Sequence, residues 1–299
     1  MSVISPNIAE SLNEFAETSV LEFDEDLSKM IQTAVTERLE IEILPKVPLT
    51  EMYTDFPRSF LHFSSQEIYE EISAIDFHFI ARIQLIECFD QNWNKEKTRH
   101  LSPNILEVVS FSANMTVFVA HEILKQETVQ NRAEALALFI RVAKDCYDKK
   151  NFNGVFSIMS GLLCTPIFRL KQSWGVIRKE KAYKKESQDF SLLEEFAEPN
   201  GNYSFYRNYL QSCNPPLIPF LGMYLTDLTF IDQGNTDDID GMIHYEKYRM
   251  MGAIYSDIKR YPKGYEEFKP NRIFYPATIE ENELYDLSLR VEPKESAPE

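Results

Sequence analysis

The stretch that decides the fold runs from Asn214 to Asn235 and reads NPPLIPFLGMYLTDLTFIDQGN. Three of its first six residues are prolines, and because proline fixes φ and lacks a backbone donor, this part is predicted to be stiff and extended. The following segment, 220–231, has the length of a helix and carries apolar residues on nearly every face. The polar residues 232–235 are predicted to end that helix in a turn.

A second helix is predicted after this turn. From Met242 to Tyr261 apolar residues recur at helical spacing, and Pro262 closes the pattern. Two helices joined by an acidic, glycine-containing turn predict a helical hairpin over about residues 217–261. About 15 residues of helix extend over about 22 Å, so such a hairpin is long enough to project from a domain as a wedge. An ordinary hairpin inside the core has the same pattern, and the pattern alone favours it.

Helical patterns also dominate the chain around this hairpin. A helix is predicted to open at Ser65, and another to run from about Asp76 to Phe89. Ser102-Pro103 combines a good N-cap residue with proline at the first helical position. Residues 131–147 are apolar almost all round, which is typical of a central helix, and 155–163 predict a short buried helix. The predicted fold class is therefore all-α.

Breaks in the helical pattern and the distribution of charge along the chain predict the domain organisation. Alternating patterns at 167–170 and 287–291 are isolated and predict no sheet. Proline-containing breaks favour a boundary near residue 55, with a short, acidic, partly helical extension over 1–55 and one large domain over 56–296. Residues 1–60 hold 12 acidic and 4 basic side chains, which is half of the excess negative charge. A solvated helical flank explains this charge better than a recruiting tail does.

Composition argues against several classes of function. A net charge of −16 disfavours nucleic acid as a partner and broad electrostatic binding to an anionic membrane, although it leaves room for a local basic patch. The four cysteines form no CxxC pair and are predicted to be buried, reduced thiols, and the five histidines lack zinc-site spacing. Without a nucleotide-binding, nucleophile or calcium-loop motif, we expect no metal, no cofactor and no covalent enzyme chemistry. We expect a cytoplasmic protein with no signal sequence and no membrane span.

The stretch 214–235 closely resembles the signature of the Ras guanine-nucleotide exchange factor (RasGEF) catalytic domain family. IHYEKYRMM (243–251) matches the second hairpin helix of that family, and four further pieces follow its order. These pieces are LSPNILEVVSFSANMTVFV (101–119), NFNGVFSIMSGLLCTPIFRLKQSW (151–174), NYSFYRNYL (202–210) and LYDLSLRVEP (284–293). The resemblance covers roughly residues 58–293.

This resemblance implies a single large, bowl-shaped helical domain with a protruding helical hairpin. In that family the hairpin opens switch 1 of a small GTPase while the bowl remodels switch 2, which promotes GDP release and GTP loading without breaking a bond in the nucleotide. The implied partner is a Ras-family GTPase, of Ras or Rap type rather than Ral, bound best in its nucleotide-free form. The implied location is cytoplasmic, at membranes to which a partner recruits the chain.

Carried over position by position, the resemblance assigns the hairpin contacts to Phe220, Thr226, Thr229, Gln233 and Asn235. Many relatives carry a larger aliphatic residue in place of Thr229 and an acid in place of Gln233. In relatives, the aliphatic residue crowds the magnesium site and the acid forms a hydrogen bond on the phosphate side. The resemblance therefore does not assign these two roles to Thr229 and Gln233. Asp232 is a candidate for the missing charge, although one helical step rotates it by about 100°. Without that charge, exchange is expected to depend on the wedge more than on electrostatics.

The resemblance also assigns a switch 2 surface to the bowl, and contacts to the second hairpin helix. The switch 2 residues are Val109, Ser110, Ala113, Phe156, Leu163, Phe168 and Tyr206. Core packing is the alternative for each, above all for Phe156 and Leu163. On the second helix, Lys247 and Met250 are expected to brace or touch switch 1, Arg249 to form a structural ion pair, and Tyr261 to pack at the hairpin base.

Two departures from the family pattern leave alternatives open. Residues 1–55 are too few for the N-terminal exchanger-associated domain that relatives carry, so we expect them at most to lend one or two helices to the hairpin base. The smaller Thr229 and the neutral Gln233 motivate a second function, a non-catalytic GTPase-binding scaffold with the same fold.

Overall fold

The computed structural model describes Lys29, residues 60–262 and residues 281–293. The chain divides into two units, Met1–Thr54 and Asp55–Glu299. Except for Lys29, the first unit lies outside the described residues. The predicted helices of the N-terminal extension and their contribution to the hairpin base therefore stay predictions.

Helices account for most of the described part of the second unit, and the predicted all-α class is confirmed. The α-helices are α1 (Ser65–Ile80), α2 (Pro103–Leu124), α3 (Val129–Asp148), α4 (Phe152–Leu163), α5 (Thr165–Phe168), α6 (Lys171–Lys179), α7 (Lys184–Phe196), α8 (Asn200–Ser212), α9 (Leu221–Gly234), α10 (Tyr245–Arg260) and α11 (Glu281–Val291). Short 3-10 helices cover Phe60–His62, Leu85–Cys88, Asn92–Asn94, Arg99–Leu101 and Lys181–Tyr183. The only strands in this part of the chain are β1 (Asp238–Ile239) and β2 (Met242–Ile243), an antiparallel pair.

The centre of the domain is formed by α2, α3 and α4, which pack on one another. A Cβ at Gly161 would lie 2.7 Å from the carbonyl oxygen of Thr116 and 2.7 Å from Cβ of Val119, so only glycine lets α4 approach α2 this closely. Nearly every residue of α4 is buried, as the sequence predicted for 155–163, although the helix begins three residues earlier, at Phe152. This packing gives the later helices a rigid support.

One described helix, α2, is long and apolar enough to cross a membrane by length and composition. It packs against α1, α3, α4, α5 and α11, and Ile105, Phe111 and Met115 are fully buried in these contacts. Its apolar character is therefore accounted for by its place in the domain core.

The start of α2 differs from the predicted cap. Ser102 does occupy the N-cap position before Pro103, but its hydroxyl donates to the carbonyl oxygen of Glu87 rather than capping the helix. The carboxylate of Glu87 accepts the backbone N–H groups of Asn104 (2.7 Å) and Ile105 (3.1 Å) instead. A charged acceptor at a helix N-terminus satisfies free donors and complements the helix dipole, so it replaces the serine.

Two other local predictions are corrected, and one is confirmed. The helix predicted from about Asp76 to Phe89 is the end of α1 followed by a 3-10 turn, and Lys259 donates to the carbonyl oxygens of Ala81 (2.6 Å) and Ile83 (3.5 Å) just past the end of α1. The alternating stretches at 167–170 and 287–291 lie at helices α5 and α11, without strand pairing. Cys88 and Cys146 are buried free thiols as predicted, whereas Cys164 and Cys213 are only partly buried.

Candidate functional site

The candidate site is centred on α9, α10 and the segment 235–244 between them, here called the α9–α10 pair. The two helices pack against each other, and β1 and β2 form a short ladder in the connection. Asp240 and Gly241 have φ values of 55° and 78° at the turn of this ladder. An Asp-Gly turn with two positive φ values favours a two-residue β-hairpin, so Met242 and Ile243, predicted as helical, are strand residues.

An aromatic cluster holds the beginning of α9. The ring of Phe220 stacks on Phe156, with centroids 4.0 Å apart and planes 9° apart, and Tyr203 packs against its edge. The backbone N–H of Phe220 donates to the hydroxyl of Tyr206 at 2.9 Å, and Tyr206 is fully buried. A Cβ at Gly222 would collide with the Phe220 ring, so this glycine makes room for the stack. Phe156, Tyr206 and Phe220 therefore form one unit, here called the base.

Backbone hydrogen bonds attach the extended segment before α9 to two other parts of the domain. The N–H of Leu217 donates to the carbonyl oxygen of Tyr261 at 2.9 Å, at the end of α10. Ile218 pairs with the chain before α4, donating to Lys150 (2.9 Å) and accepting from Phe152 (2.8 Å). The stiff, proline-rich approach predicted from the sequence is thus fixed by main-chain contacts. Tyr261 is buried at this end, as predicted.

A buried polar network connects the base to the core. The carboxylate of Asp76 on α1 accepts hydrogen bonds from the side-chain amides of Asn151 (2.9 Å) and Asn153 (2.7 Å). The side-chain oxygen of Asn153 in turn accepts the N–H of Leu221, the first residue of α9, at 3.5 Å. Burial raises the pKa of Asp76 from 3.8 to about 7, although the two amide hydrogen bonds lower it.

An ion pair adds a further attachment on the outer side of α9. The guanidinium of Arg207 on α8 donates to both carboxylate oxygens of Asp227, at 2.9 and 2.7 Å. Both side chains are partly exposed, so the pair is a positional device more than a large source of stability. The bidentate geometry fixes the rotation of α9 against α8.

The far end of α9 is held by a buried lysine. Lys247 on α10 is 3% exposed, and its ammonium lies 2.7 Å from Asp232 and 2.6 Å from Asp237. The side chain of Gln91 also donates to Asp232 at 2.6 Å. Burial alone would raise the pKa of Asp232, but the hydrogen bonds from Lys247 and Gln91 outweigh it and lower the pKa. Asp232, considered from the sequence as a free charge, is engaged inside the molecule.

The segment that follows α1 braces α10 from another side. Gln91 reaches Asp232, and the ring of Phe89 packs edge-on against Tyr248 with centroids 5.7 Å apart. Lys259 near the end of α10 donates to Ala81. These contacts come from positions about 160 residues earlier in the chain, and no local pattern pointed to them.

One group of three carboxylates in the described residues has the spacing of a cation site. Oxygen atoms of Asp90, Asp232 and Asp237 lie within 4.8 Å of one another. The Lys247 ammonium is bound to two of the three. The cation bound by these carboxylates is therefore the ammonium of Lys247, so the group is poorly suited to a metal ion.

The predicted contact residues of α9 lie along one side of the helix. Thr226, Thr229 and Gln233 are spaced three and four residues apart, and Gln233 is exposed. The hydroxyls of Thr226 and Thr229 donate to the carbonyl oxygens four residues earlier, at 2.9 and 2.8 Å. Because these hydroxyls are used within the helix, the threonines offer mainly their methyl groups to a partner. Asn235 donates to Ile231 at 2.8 Å at the end of α9.

Sequence reasoning missed an exposed apolar group in the same region. Phe230 is 62% exposed and lies four residues after Thr226, on the same side of α9. In and beside the β1–β2 turn, Met242 is 69% exposed and Ile243 is 79% exposed, and Ile239 is also exposed. The Asp-Gly turn was the sequence signal that would have identified this short ladder. The exposed residues Ile239, Met242 and Ile243 are here called the tip.

The residues assigned to the bowl, together with Lys247 and Met250 of the second hairpin helix, fall into exposed, partly buried and buried sets. Val109, Ser110 and Ala113 form a continuous exposed strip on α2, and Phe168 on α5 is also exposed. Leu163 and Met250 are partly buried. The buried members are Phe156, Tyr206 and Lys247, and these act on the position of α9 or α10 from within the domain. Arg249 forms the predicted ion pair, with Glu246 on its own helix.

Comparison with known proteins places this architecture in a family. The sequence profile described as the RasGEF domain matches residues 67–249. The chain is 31% identical over 243 residues to Ras guanine nucleotide exchange factor R of Dictyostelium discoideum, an alignment that covers 79% of this chain and 14% of that protein.

Two further relatives match at similar levels. Ras guanine nucleotide exchange factor J of Dictyostelium discoideum is 33% identical over 77% of this chain and 28% of its own length. Ras-specific guanine nucleotide-releasing factor 1 of Rattus norvegicus is 30% identical over 79% of this chain and 19% of its own length. The chain therefore spans less than a third of the length of these relatives, and the matched part is the helical domain described above. This chain belongs to the RasGEF domain family.

Proposed function

We propose that this chain promotes nucleotide exchange on a Ras-family small GTPase, by GDP release followed by GTP loading. The observation that carries the proposal is the RasGEF domain match over residues 67–249, which contains α9 and the first part of α10. Relatives named as Ras guanine nucleotide exchange factors align over more than three quarters of the chain. The partner class proposed here is the one in those names, and no covalent step on the nucleotide is involved.

In the proposed mechanism, α9 acts as a wedge against switch 1 of the GTPase. Thr226, Thr229, Phe230 and Gln233 provide its contact side, and the strip on α2 together with Phe168 contacts switch 2. The exchanger accelerates release only if these contacts are stronger with the nucleotide-free GTPase than with the loaded form. A wedge must also resist the force that it exerts, and the attachment of α9 through Phe220, Asn153 and Arg207 supports such a role.

The chemistry of the contact side favours steric action over charge. Asp232 is paired with Lys247, and Gln233 is neutral, so α9 presents no unpaired carboxylate at positions 229–233. Phe230 supplies a large apolar surface next to Thr226. We therefore propose that exchange depends mainly on the wedge. A collapse of exchange in Gln233→Ala, with unchanged exchange in Phe230→Ala, would contradict this assignment.

A second candidate is a GTPase-binding scaffold that does not release nucleotide. The observation that favours it is Thr229, whose hydroxyl is bonded to Leu225 and whose methyl is smaller than the aliphatic side chain of many relatives. Such a protein would bind the GTPase without distorting the magnesium site.

Release of a fluorescent nucleotide from purified Ras-, Rap- and Ral-type GTPases separates the two candidates. The exchanger proposal expects accelerated release from Ras or Rap and tight binding to the nucleotide-free form. Stable binding without acceleration would support the scaffold. Thr229→Leu sharpens the test, because restoring the bulky aliphatic group is expected to increase release if crowding limits it. Ser256→Ala, at an exposed position of α10, is the matched control.

We also propose that the chain acts in the cytoplasm, at the membranes that carry its client GTPase.

Deleting residues 1–50 tests whether the N-terminal extension contributes to the α9–α10 pair. Unchanged thermal stability and exchange after the deletion would show that the bracing by residues 81–95 is sufficient.

A further inference from the structure

Among the described residues of this acidic protein, a dense group of positive charge lies on the surface between residues 171 and 185. Between residues 171 and 185 there are six basic side chains and one acidic one, in a chain whose net charge is −16. All six are exposed, and none forms a salt bridge within the described residues. The basic patch consists of Lys171, Arg178, Lys179, Lys181, Lys184 and Lys185.

The fold brings these residues to one side of α6 and to the start of α7. Trp174 and Ile177 bury the opposite side of α6, which leaves Lys171, Arg178 and Lys179 facing solvent at seven- and eight-residue spacing. Lys171 and Lys179 line a shallow groove of about 390 Å³. The 3-10 turn Lys181–Tyr183 then leads directly into α7, where Lys184 and Lys185 are the first two residues.

Local stability does not account for all of this charge. Arg178 and Lys179 are favourable at the end of α6, where they complement the helix dipole. Lys184 and Lys185 lie at the positive end of the α7 dipole, where cations are unfavourable. The N-terminus of α6 is already capped by the carboxylate of Glu292, which accepts the N–H groups of Gln172 (2.9 Å) and Ser173 (3.0 Å). The patch therefore keeps charges that the helices themselves do not need.

We propose that the basic patch is a docking surface for an anionic lipid bilayer. Its cations are exposed and spread over a shallow surface, which suits a plane of headgroups better than one fixed ligand. The Debye length at physiological salt is about 8 Å, so acidic residues farther away oppose this contact only weakly. Sites for single-stranded nucleic acid usually add aromatic side chains for stacking, whereas here Trp174 is buried and Tyr183 is partly buried and bonded to Gln130.

Sedimentation of the full chain with vesicles tests this proposal. Binding is expected to vesicles of phosphatidylcholine with phosphatidylserine, to weaken with added salt, and to be lost with phosphatidylcholine alone. Each lysine near an anionic surface contributes about five-fold to the affinity, so Lys179→Gln with Lys184→Gln is expected to lower it roughly 25-fold. The matched control, Lys97→Gln with Arg99→Gln, changes two exposed cations outside the patch and should bind like the parent.

The same variants are also tested for nucleotide release from a GTPase in solution, without vesicles. The patch double variant is expected to promote release as well as the parent does, which keeps this proposal separate from the exchange function. Thermal unfolding checks that both double variants fold, and removal of Lys184 from the α7 N-terminus should not destabilise the chain. The proposal is overturned if serine-containing vesicles do not bind, or if the control pair loses affinity as much as the patch pair. Tighter binding to duplex DNA or RNA than to vesicles at equal salt would also overturn it.

Discussion

The two ends of the α9–α10 pair are built in opposite ways. At the base, Phe156, Tyr206 and Phe220 are packed ring against ring, and main-chain hydrogen bonds and the Asn153 amide add to the same attachment. At the tip, Met242 and Ile243 are left in solvent and the backbone is ordered by a ladder of two residue pairs. Exposed apolar groups lose the stabilisation of roughly 25 cal/mol per Å² that burial would provide. The base is therefore held by packing and hydrogen bonds, whereas the apolar side chains of the tip remain accessible to solvent.

The largest expected effect comes from removing the base. Phe156→Ala deletes the ring that stacks on Phe220 and is expected to lower the free energy of unfolding by about 3–5 kcal/mol, measured by urea denaturation. Phe230→Ala makes the same change at an exposed position and should alter stability by less than about 0.5 kcal/mol. Nucleotide release should fall with both variants. In Phe156→Ala the cause should be the lower stability of the domain, whereas in Phe230→Ala it should be the loss of a contact side chain. Equal stability losses would contradict the comparison.

The next effect is the pH dependence of the network beneath the base. Since the pKa of Asp76 is raised to about 7 in the folded state, the folded chain binds a proton more tightly than the unfolded chain does. Its contribution to stability is full below pH 4 and is lost as the pH rises through 7. Relative to Asp76→Asn, the parent should therefore lose about 4 kcal/mol of unfolding free energy between pH 4 and pH 8. Glu107→Gln, an exposed change on α2, is the control. If the unfolding free energy of the parent rises relative to that of Asp76→Asn as the pH increases, the predicted direction is wrong.

A smaller effect is expected between the base and the tip. Lys247→Met keeps the apolar stem but leaves Asp232 with Gln91 alone, and it should cost roughly 1–3 kcal/mol. The control Arg249→Met removes an exposed ion pair from the same helix and should cost at most about 0.5 kcal/mol. Denaturant midpoints measure both. If the two variants are equally stable, the buried lysine does not hold the far end of α9.

The smallest effect on stability is expected at the tip itself. Ile243→Ala changes a side chain that is 79% exposed, so the unfolding free energy should move by less than about 0.5 kcal/mol. If the tip contacts the GTPase, affinity for the nucleotide-free form should fall about five-fold or more, as for a contact residue at a protein interface. Titration calorimetry with the GTPase measures this loss. Unchanged affinity would restrict the contact side to α9.

Much of the fold followed from patterns that act over a few residues. Helical spacing, the Pro103 start of α2 and the proline-rich approach to α9 were all predicted, because each depends on neighbours in the chain. The misassigned strand residues Met242 and Ile243 had a local signal as well, the Asp240-Gly241 turn. Their apolar character resembled a helix face, and the turn chemistry prevailed over it.

The contacts between distant side chains could not be predicted from such local patterns. Glu87 replaces Ser102 as the cap of α2, and Gln91 binds Asp232 across 141 positions of the sequence. Phe156 and Tyr206, assigned to the bowl surface, lie inside the domain. Each of these outcomes depends on which segments meet in space, and helical periodicity carries no information about that.

The amino-acid sequence alone determined the helical class of this protein, the position of α9 and α10, and the family to which it bears resemblance. These follow from short-range backbone preferences and from an ordered set of motifs. Only the tertiary structure decided that Asp232 is neutralised by Lys247, that Phe220 is stacked on Phe156, and that the six cations between residues 171 and 185 are all exposed. Burial, ion pairing and local charge density arise when distant segments pack together, so they exist only in the folded molecule.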